Sequence, residues 1–196
     1  MSRPITVLPK PRQRPYPAMW MATQSLESLE WAADNGVRPL LGGSLSSWEQ
    51  LADWRRHYAE RWAASGRAAS EVRIGVQRYT LVTETEGEAR EAVWQTRWQR
   101  SLAWHLRHDD ERITAGRNEP YPFAEELDDE AWWDRLTYGT PDRCIAQWRR
   151  LAEMGYTDAI TWFDVGGLDG AAVLRSMRLF AREVMPALAG SKVETA

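Results

Sequence analysis

The feature that most constrains the fold of this sequence is a strand–helix alternation that recurs four times along 196 residues. Each unit begins with a short apolar run that predicts a buried strand and continues with apolar side chains at helical spacing. Alternation of this kind is typical of a parallel sheet covered by helices. A complete (β/α)8 barrel needs about 250 residues, so we expect an open doubly wound sheet or half of a barrel. The predicted strands are 19–22, 37–41, 71–85 and 159–163.

The predicted helices carry start and stop signals as well as apolar faces. Ser25 is the predicted N-cap of a helix at 27–35, and Asn35-Gly36 ends that helix. Pro141 stands where the first turn of a later helix is expected, because proline is tolerated there. The predicted buried faces are Leu51, Trp54, Tyr58 and Trp62 in the helix at 47–65, Val93, Trp94, Trp98 and Leu102 in the helix at 86–106, and Val173, Met177, Phe180 and Val184 in the last helix.

Three stretches fall outside this alternation. Residues 1–17 hold five of the ten prolines and predict an extended N-terminal arm. Between 108 and 137 the periodicity fails, which predicts a long loop with one short helix. Loops of this length are usually functional or disordered. The half barrel is therefore expected to occupy residues 18–190, followed by a C-terminal tail at 191–196.

Composition excludes several classes of function. A formal charge of −3 and a pI near 5.7 argue against a nucleic-acid binder, which would normally be basic. No apolar run reaches about 18 residues, so we expect no membrane span and a cytoplasmic protein. Cys144 is the single cysteine, which excludes an internal disulfide and a cysteine-based zinc site, and no other metal-ligand spacing is evident. Most of the twelve tryptophans lie at helical spacing and are expected to pack in the core.

Five stretches of the sequence together resemble one known family. They are 7–33, 79–89, 138–151, 160–164 and 180–186. Taken in order, they resemble the luciferase-like flavin-dependent monooxygenases. The first is similar to the proline-rich lead into that family's fifth barrel strand, with the turn and helix that follow. The second is similar to its seventh strand, and the remainder to its closing unit. The resemblance implies an α/β fold, the C-terminal half of a TIM (β/α)8 barrel with about four parallel strand–helix units.

The resemblance implies a phosphate site for FMN at the turn after the first strand. The matching positions are Gln24, Ser25 and Ser28. Hydroxyls and free backbone N–H groups at a helix N-terminus suit an anion. The alternative is that Ser25 and Ser28 only cap the helix. Glu27 is a counter-argument, since a carboxylate beside a phosphate is repulsive unless it points away.

Further candidate binding residues lie at the predicted carboxyl ends of strands, where barrel enzymes place their chemistry. They include Thr23, Gly43 and Asp164, with Gln77 and Tyr79 on the third strand. Two plainer interpretations stay open. Gly42-Gly43 is equally common in simple turns, and an acid in the position of Asp164 commonly caps the following helix. The loop at 108–137 corresponds to a mobile lid over the flavin in the family, or is merely a disordered insertion.

The departures from the family concern catalysis. Its first four strands, which carry much of the ring pocket and the usual catalytic histidine and arginine, have no counterpart in this sequence. His57, His105 and His108 do not replace them and are predicted to lie at the surface. The catalytic residues are therefore unassigned. No Ser–His–Asp set and no phosphate-binding GxxxxGK loop is present.

Four parallel strands covered on one face leave open edges and an apolar patch, which proteins normally cover. We therefore expect a homo-oligomer, or a partner chain that completes the barrel. The leading functional hypothesis is an FMN-dependent monooxygenase or oxidoreductase, active when assembled. Reduced FMN, supplied by a separate flavin reductase, would act with O2 on a small organic substrate. The alternatives are a non-catalytic half-barrel subunit that pairs with itself or a full-length relative, and a truncated product without activity.

Overall fold

The computed structural model describes residues 6, 8–14, 16–42 and 45–189. Of residues 1–17, the described ones form neither helix nor strand, and the predicted tail at 191–196 lies outside the described residues. No helix of the described chain has the length and apolar run that a bilayer span requires. In chain order the elements are β1 (Trp20–Thr23), α1 (Leu26–Asp34), β2 (Arg38–Leu41), α2 (Trp48–Ala64), a 3-10 turn (Ala69–Glu71), β3 (Gly75–Val82), α3 (Glu86–Arg107), β4 (Arg112–Thr114), β5 (Arg117–Glu119), α4 (Asp129–Arg135), β6 (Thr137–Gly139), α5 (Pro141–Glu153), β7 (Asp158–Trp162), α6 (Gly170–Leu179), a π-helical turn (Phe180–Val184) and α7 (Met185–Ala189).

A parallel sheet organises these elements around β3. That strand pairs with β2 through residues 75–76, with β7 through 75–79 and with β6 through 80–82, and β1 pairs with β2. All these pairings are parallel. The predicted α/β architecture of parallel strand–helix units is therefore confirmed. The third strand is shorter than predicted, because residues 71–74 form the end of a 3-10 turn and its exit.

The main core lies between the sheet and the helices. Leu41, Val76 and Val82 contribute from the strands, and they pack with buried side chains of α1, α2 and α5. The predicted buried face of α2 is confirmed, since all four of its residues are buried. Six of the twelve tryptophans are buried, whereas four are exposed, which fits the expected core role only in part. The exposed ones are Trp20, Trp31, Trp94 and Trp162.

The predicted apolar face of α3 is wrong. Trp94 is exposed, and the buried positions of this helix are Ala89, Thr96, Ser101 and His105. Most of these are polar because α3 packs on irregular backbone and on a tyrosine rather than only on an apolar surface. Thr96, for example, shares a 2.7 Å hydrogen bond with the hydroxyl of Tyr138. A polar helix face that is satisfied by such contacts has no apolar periodicity to detect.

The last helix differs from its predicted face at one position. Val173 and Val184 are buried as predicted, but Met177 is exposed and Ser176 is buried in its place. The Ser176 hydroxyl accepts a 2.7 Å hydrogen bond from the backbone N–H of Val82 at the end of β3. Satisfying that buried donor draws Ser176, rather than Met177, to the inside.

The segment at 108–137 contains more structure than the predicted long loop with one helix. β4 and β5 form an antiparallel hairpin, and α4 begins at the N-cap Asp128, whose carboxylate accepts from Ala131 N at 2.8 Å. Residue 137 already belongs to β6, a parallel strand that the sequence did not indicate. Trp132 and Leu136 from this segment form a second cluster with Leu81 and Ala89. The segment is therefore folded onto α3 and the end of β3.

The turn between β7 and α6 depends on a glycine. Gly166 has a φ of +69°, and its N–H donates to Gln99 Oε1 at 2.5 Å. A Cβ at this position would overlap the backbone carbonyl of Gln95 on α3. The next residue, Gly167, has φ of +74° but open space where its Cβ would be. The two glycines thus share a backbone conformation and differ in steric room.

Gly166→Ala should lower the free energy of unfolding by about 3 kcal/mol, because left-handed strain adds to a steric clash with backbone. Gly167→Ala is the matched control and should cost about 1 kcal/mol, the strain alone. Urea denaturation of both variants, followed by circular dichroism, measures the difference. Equal losses in the two variants would contradict the close approach of this turn to α3.

Candidate functional site

A cleft of about 550 Å³ opens at the carboxyl ends of the parallel strands. Its strand-end residues are Gln24 after β1, Gly42 after β2, Gln77 and Tyr79 on β3, and Trp162 on β7. In parallel α/β sheets and barrels, ligands bind at this end of the strands. The volume falls within the range of small-molecule sites, about 300–1,000 Å³. This cleft is therefore the candidate functional site.

Gln24 reaches across the end of β2 into the cleft because residue 42 is glycine. A Cβ on Gly42 would lie 2.5 Å from the side-chain nitrogen of Gln24. The two strands are joined at the same place by the N–H of Gly42, which donates to the carbonyl of Thr23 at 3.4 Å. Any side chain at position 42 would displace the Gln24 amide from the cleft wall.

The floor and the outer wall of the cleft come from different parts of the chain. Tyr79 and Trp162 stand edge to face with ring centroids 5.4 Å apart, which gives the floor an aromatic pair. Arg100 from α3 and Glu125 from the segment before α4 line the opposite wall. The cleft, which Trp54 also lines, thus combines side-chain amides, three aromatic side chains and one charge of each sign.

The N-terminus of α1 lies next to Gln24. The Ser25 hydroxyl accepts from Ser28 N at 3.2 Å and donates to the Ser28 hydroxyl at 3.0 Å, so the predicted N-cap is confirmed. Thr23 is buried, and its hydroxyl shapes the turn by contacts with the backbone of Ser25 at 3.4 and 3.5 Å. Glu27 is exposed in the first turn. Ser25 and Ser28 are neighbours of the cleft rather than part of its wall.

The remaining predicted binding residues do not join the cleft wall. Gly43 lies outside the described residues. Asp164 is exposed, and its backbone carbonyl accepts from the indole N–H of Trp162 at 2.7 Å, which orients that ring. The alternative role of Asp164 as a helix cap is wrong, since α6 is capped by Asp169, whose carboxylate accepts from Ala172 N at 2.9 Å.

A buried arginine that the sequence interpretation missed supports the cleft from behind. Arg78 on β3 faces the helices, donates to the backbone carbonyls of Ser46, at 3.5 Å, and of Arg135, and lies 5.0 Å from the ring of Trp48. Burial lowers the pKa of this guanidinium to about 10, so it stays charged at neutral pH. Arg135 in turn donates to the carbonyl of Leu45 at 3.1 Å. Both arginines thereby fix the loop that lines the cleft after β2.

The histidines divide between surface and interior. His57 lies partly exposed, 3.0 Å from Glu30, and His108 is exposed and stacks on Trp104. The predicted surface position of His105 is wrong, since this residue is only 2% exposed. Its ring stacks on Tyr121 at 3.5 Å, and its Nε2 is 3.0 Å from the Tyr121 carbonyl. His105 therefore anchors the inserted segment and does not line the cleft.

A second groove, of about 380 Å³, runs between α3 and α6. Its rim carries Arg175, Arg178 and Arg182 together with Glu84 and Glu88. Carboxylates oppose the arginines of this groove, and the ends of β1, β2 and β7 do not reach it. The cleft at the strand ends is the better candidate, because residues at the ends of β1, β2, β3 and β7 converge there.

The chain's residues fit the phosphate end of FMN and one wall of a ring pocket. α1 offers its N-terminal end and two hydroxyls, a combination that suits an anion, with the N–H of Ser28 already donating to the Ser25 hydroxyl. Gly42 leaves room for the Gln24 amide at the cleft edge. Among the described residues, no group of three or more His, Cys, Asp or Glu side chains is placed to hold a metal ion.

Comparisons with known proteins agree with this geometry. The family model of the luciferase-like monooxygenases matches residues 2–158. Monooxygenase RslO1 from Streptomyces bottropensis is 26% identical, with a TM-score of 0.71 over 94% of this chain and 52% of that one. MsnO8 is 24% identical, with a TM-score of 0.61 over 96% and 55% of the two chains. No curated protein sequence matches the chain.

A further similar structure is the oxygenating constituent of 3,6-diketocamphane monooxygenase from Pseudomonas putida, solved in complex with FMN. It is 19% identical, with a TM-score of 0.62 over 88% of this chain and 49% of that one, and shows the shared fold alone. The chain spans about half the length of these solved structures. The predicted half of a (β/α) barrel is therefore confirmed.

The inserted segment should be held against α3 by Arg97. Its guanidinium donates to Glu126 Oε1 at 3.0 and 2.7 Å and to Asp129 Oδ1 at 2.5 Å. Arg97→Gln should cost about 1 kcal/mol locally, because these ion pairs are partly screened by solvent. Hydrogen exchange of residues 121–128 should then accelerate roughly fivefold.

Arg100→Gln is the matched control for that experiment. Arg100 lies one turn further along α3 and has no ion pair among the residues that the structure describes. Exchange of residues 121–128 should stay at the wild-type rate in this variant. Unchanged protection in Arg97→Gln, or the same acceleration in both variants, would contradict the anchoring role.

Proposed function

The chain belongs to the luciferase-like monooxygenase family, and on that premise we propose that it binds FMN and takes part in oxygenating a small organic substrate. The observation that carries the proposal is the position of the α1 N-terminus beside the cleft, with Gln24 shared between them. An anion held at α1 would place the rest of a ligand along the strand ends. FMN, with a phosphate at one end and a ring at the other, would occupy both places in this proposal.

In this proposal Ser25 and Ser28 hold the phosphate. Their hydroxyls already lie 3.0 Å from each other at the helix N-terminus, so either can turn its proton toward an added oxygen. The helix dipole favours a dianion at this end by about 0.5–1 kcal/mol. Gln24 would donate its amide N–H next to the phosphate. Glu27 is exposed and can remain in solvent.

The ring would lie against the inner side of the sheet. Tyr79 and Trp162 offer an aromatic surface, and the amides of Gln24 and Gln77 offer donors and acceptors for polar ring edges. When bound, reduced FMN would supply the redox chemistry by reacting with O2. The chain's residues orient the flavin and exclude water from it.

The inserted segment contributes the water exclusion. Glu125 lines the cleft, and the backbone of Tyr121 is bound in both directions by Ser101, at 2.8 and 3.1 Å. A cover fixed in this way limits the access of solvent to a reactive site. We propose that the substrate enters between this cover and the strand ends.

Two partners belong to the proposal. A separate flavin reductase would supply reduced FMN to the cleft. A further set of strands, from a second copy or another chain, would complete the ring pocket, because the inner face of the sheet is open at Trp20, Ile160 and Trp162.

The alternative is a non-catalytic half-barrel subunit that pairs with itself or with a full-length relative. The observation that favours it is the mutual hydrogen bond of Ser25 and Ser28, because a helix cap alone accounts for both side chains. Catalytic residues are also unassigned in the cleft. FMN binding separates the two functions.

Titration with FMN should quench tryptophan fluorescence in a saturable way, because Trp54 and Trp162 line the cleft. The protein is used as purified and again after mixing with a full-length family member. A linear, unsaturated decrease in both cases would reject the flavin proposal and leave the non-catalytic subunit.

Ser28→Ala should weaken FMN binding about tenfold and leave riboflavin binding unchanged, because only FMN carries the phosphate. A lost charge-assisted hydrogen bond costs about 1.5 kcal/mol, which corresponds to about tenfold in Kd. Thr85→Ala is the control, since it removes a hydroxyl from the N-terminus of another helix, where Thr85 Oγ1 accepts from Glu88 N at 3.3 Å, away from the cleft. A parallel loss of FMN and riboflavin affinity would place the phosphate elsewhere.

A further inference from the structure

The two ends of the strand series β1-β2-β3-β7 are open in the same way. β1 pairs only with β2, and β7 only with β3, among the residues that the structure describes. Each outer strand therefore presents unpaired backbone groups along one edge. Four strands are half of the eight that close a parallel barrel. Edges of this kind are normally paired or covered.

Exposed apolar side chains accompany both edges. On the inner face of the sheet, Trp20 of β1 is 39% exposed, and Ile160 and Trp162 of β7 are 45% and 41% exposed. These residues share one face of the sheet. The strand register aligns Ala22, two residues after Trp20, with Gly75 and Asp158, and Ile160 and Trp162 follow Asp158 by two and four residues. Large apolar residues so exposed on both outer strands indicate a surface that is buried in an assembly.

The helices next to these edges repeat the pattern. α1 contacts α2 through Glu30 and Asp34, whereas Trp31, which turns away from them, is exposed. At the other end of the sheet, Leu174 and Met177 of α6 are exposed. A helix packed beside α1 and a helix packed beside α6 would cover them.

We infer that two copies of this chain close one eight-stranded parallel barrel, in which β1 of each copy pairs with β7 of the other. One chain carries both kinds of edge, so a second copy offers β7 to the open edge of β1 and β1 to the open edge of β7. A two-fold axis along the barrel keeps all strands parallel and forms both joints at once. The same rotation places α6 of one copy beside α1 of the other, so that Leu174 and Met177 meet Trp31.

The register of the joint follows from the register within the sheet. Hydrogen-bonded neighbours run from Ala22 through Leu40 and Gly75 to Asp158. In an eight-stranded barrel of this type, a circuit perpendicular to the strands returns displaced by about eight residues, so half a circuit is displaced by about four. Asp158 therefore lies beside residue 18 or residue 26 of the second copy.

Only one of these choices leaves β1 in a sheet. Residue 26 is the first residue of α1, so pairing Asp158 there would set β7 beside a helix. Pairing with residue 18 instead places Ile160 beside Trp20 of the second copy, and Trp162 beside its Ala22. The side chains that are exposed in one chain then cover one another in the pair. The closed barrel also brings both clefts to the same mouth.

This inference rests on the association stated in the proposed function, and not on flavin binding. Sedimentation velocity of the wild-type chain at micromolar concentration should give a species of about twice its 22.6 kDa mass. A monomer would overturn the inference and point to a different chain as the occupant. A dimer that binds no FMN would keep the inference and reject the flavin proposal.

A double variant, Trp20→Cys with Ile160→Cys, tests the joint itself. Within one chain these positions are separated by two intervening strands, about 14 Å at the usual strand spacing, which is too far for a disulfide. Oxidation, or a short bifunctional maleimide, should therefore link most chains into a covalent dimer. Cys144 should not react, because burial raises the pKa of its thiol to about 12.

The single variants Trp20→Cys and Ile160→Cys are the controls and should remain unlinked. Efficient linkage of either one would mean that like edges meet, which overturns the inference. Ala22→Cys with Trp162→Cys repeats the test in the same register if the first pair fails to fold. Ala22→Cys with Ile160→Cys is two residues out of register, and stronger linkage there than in both matched pairs would overturn the proposed joint.

Discussion

Every other part of the sheet depends on β3, because this strand forms three of the four parallel strand pairings. Residues 75–76 pair with β2 and β7 on opposite edges, and residues 80–82 pair with β6. Gly75 makes the crowded beginning possible, since a Cβ there would lie 2.8 Å from Leu40 Cδ1. Alternation along the strand then separates two environments. Val76 and Arg78 face the helices, whereas Gln77 and Tyr79 face the cleft, so the register of one strand sets both the core and the polarity of the site.

The inserted segment is held by polar contacts where an apolar interface would be expected. Ser101, His105 and Arg97 on α3 all bind residues between 121 and 129, and aromatic stacking of His105 on Tyr121 fills the space between them. Such contacts satisfy buried backbone groups of irregular structure, which an apolar helix face could not do. They also cost little to open one at a time. The proposed role of the segment as a cover would use this combination of defined geometry and modest local stability.

Elements whose determinants are local in sequence were predictable. Ser25 before α1, Pro141 at the start of α5 and the apolar stripe of α2 each act within a few residues. What escaped prediction depends on contacts distant in sequence. β6 is three residues long and is a strand only because it pairs with β3, and the burial of His105 requires Tyr121, sixteen positions away. In the site, the position of Gln24 in the cleft was predictable because this residue follows a strand. That Gly42 leaves room for the Gln24 side chain was not predictable, because it depends on a contact between two strands.

The open face of the sheet links assembly to the site. The side chains of Trp162 and Tyr79 belong both to the cleft floor and to the inner face that a second set of strands would cover. Covering Ile160 and Trp20 therefore also encloses the floor on which a flavin ring would lie. A ligand that prefers the enclosed floor must bind the assembled form more tightly than the open one, and by linkage it must strengthen the assembly by the same free energy. In such a barrel the apolar edges determine how strongly the cofactor is held, although none of them contacts its phosphate.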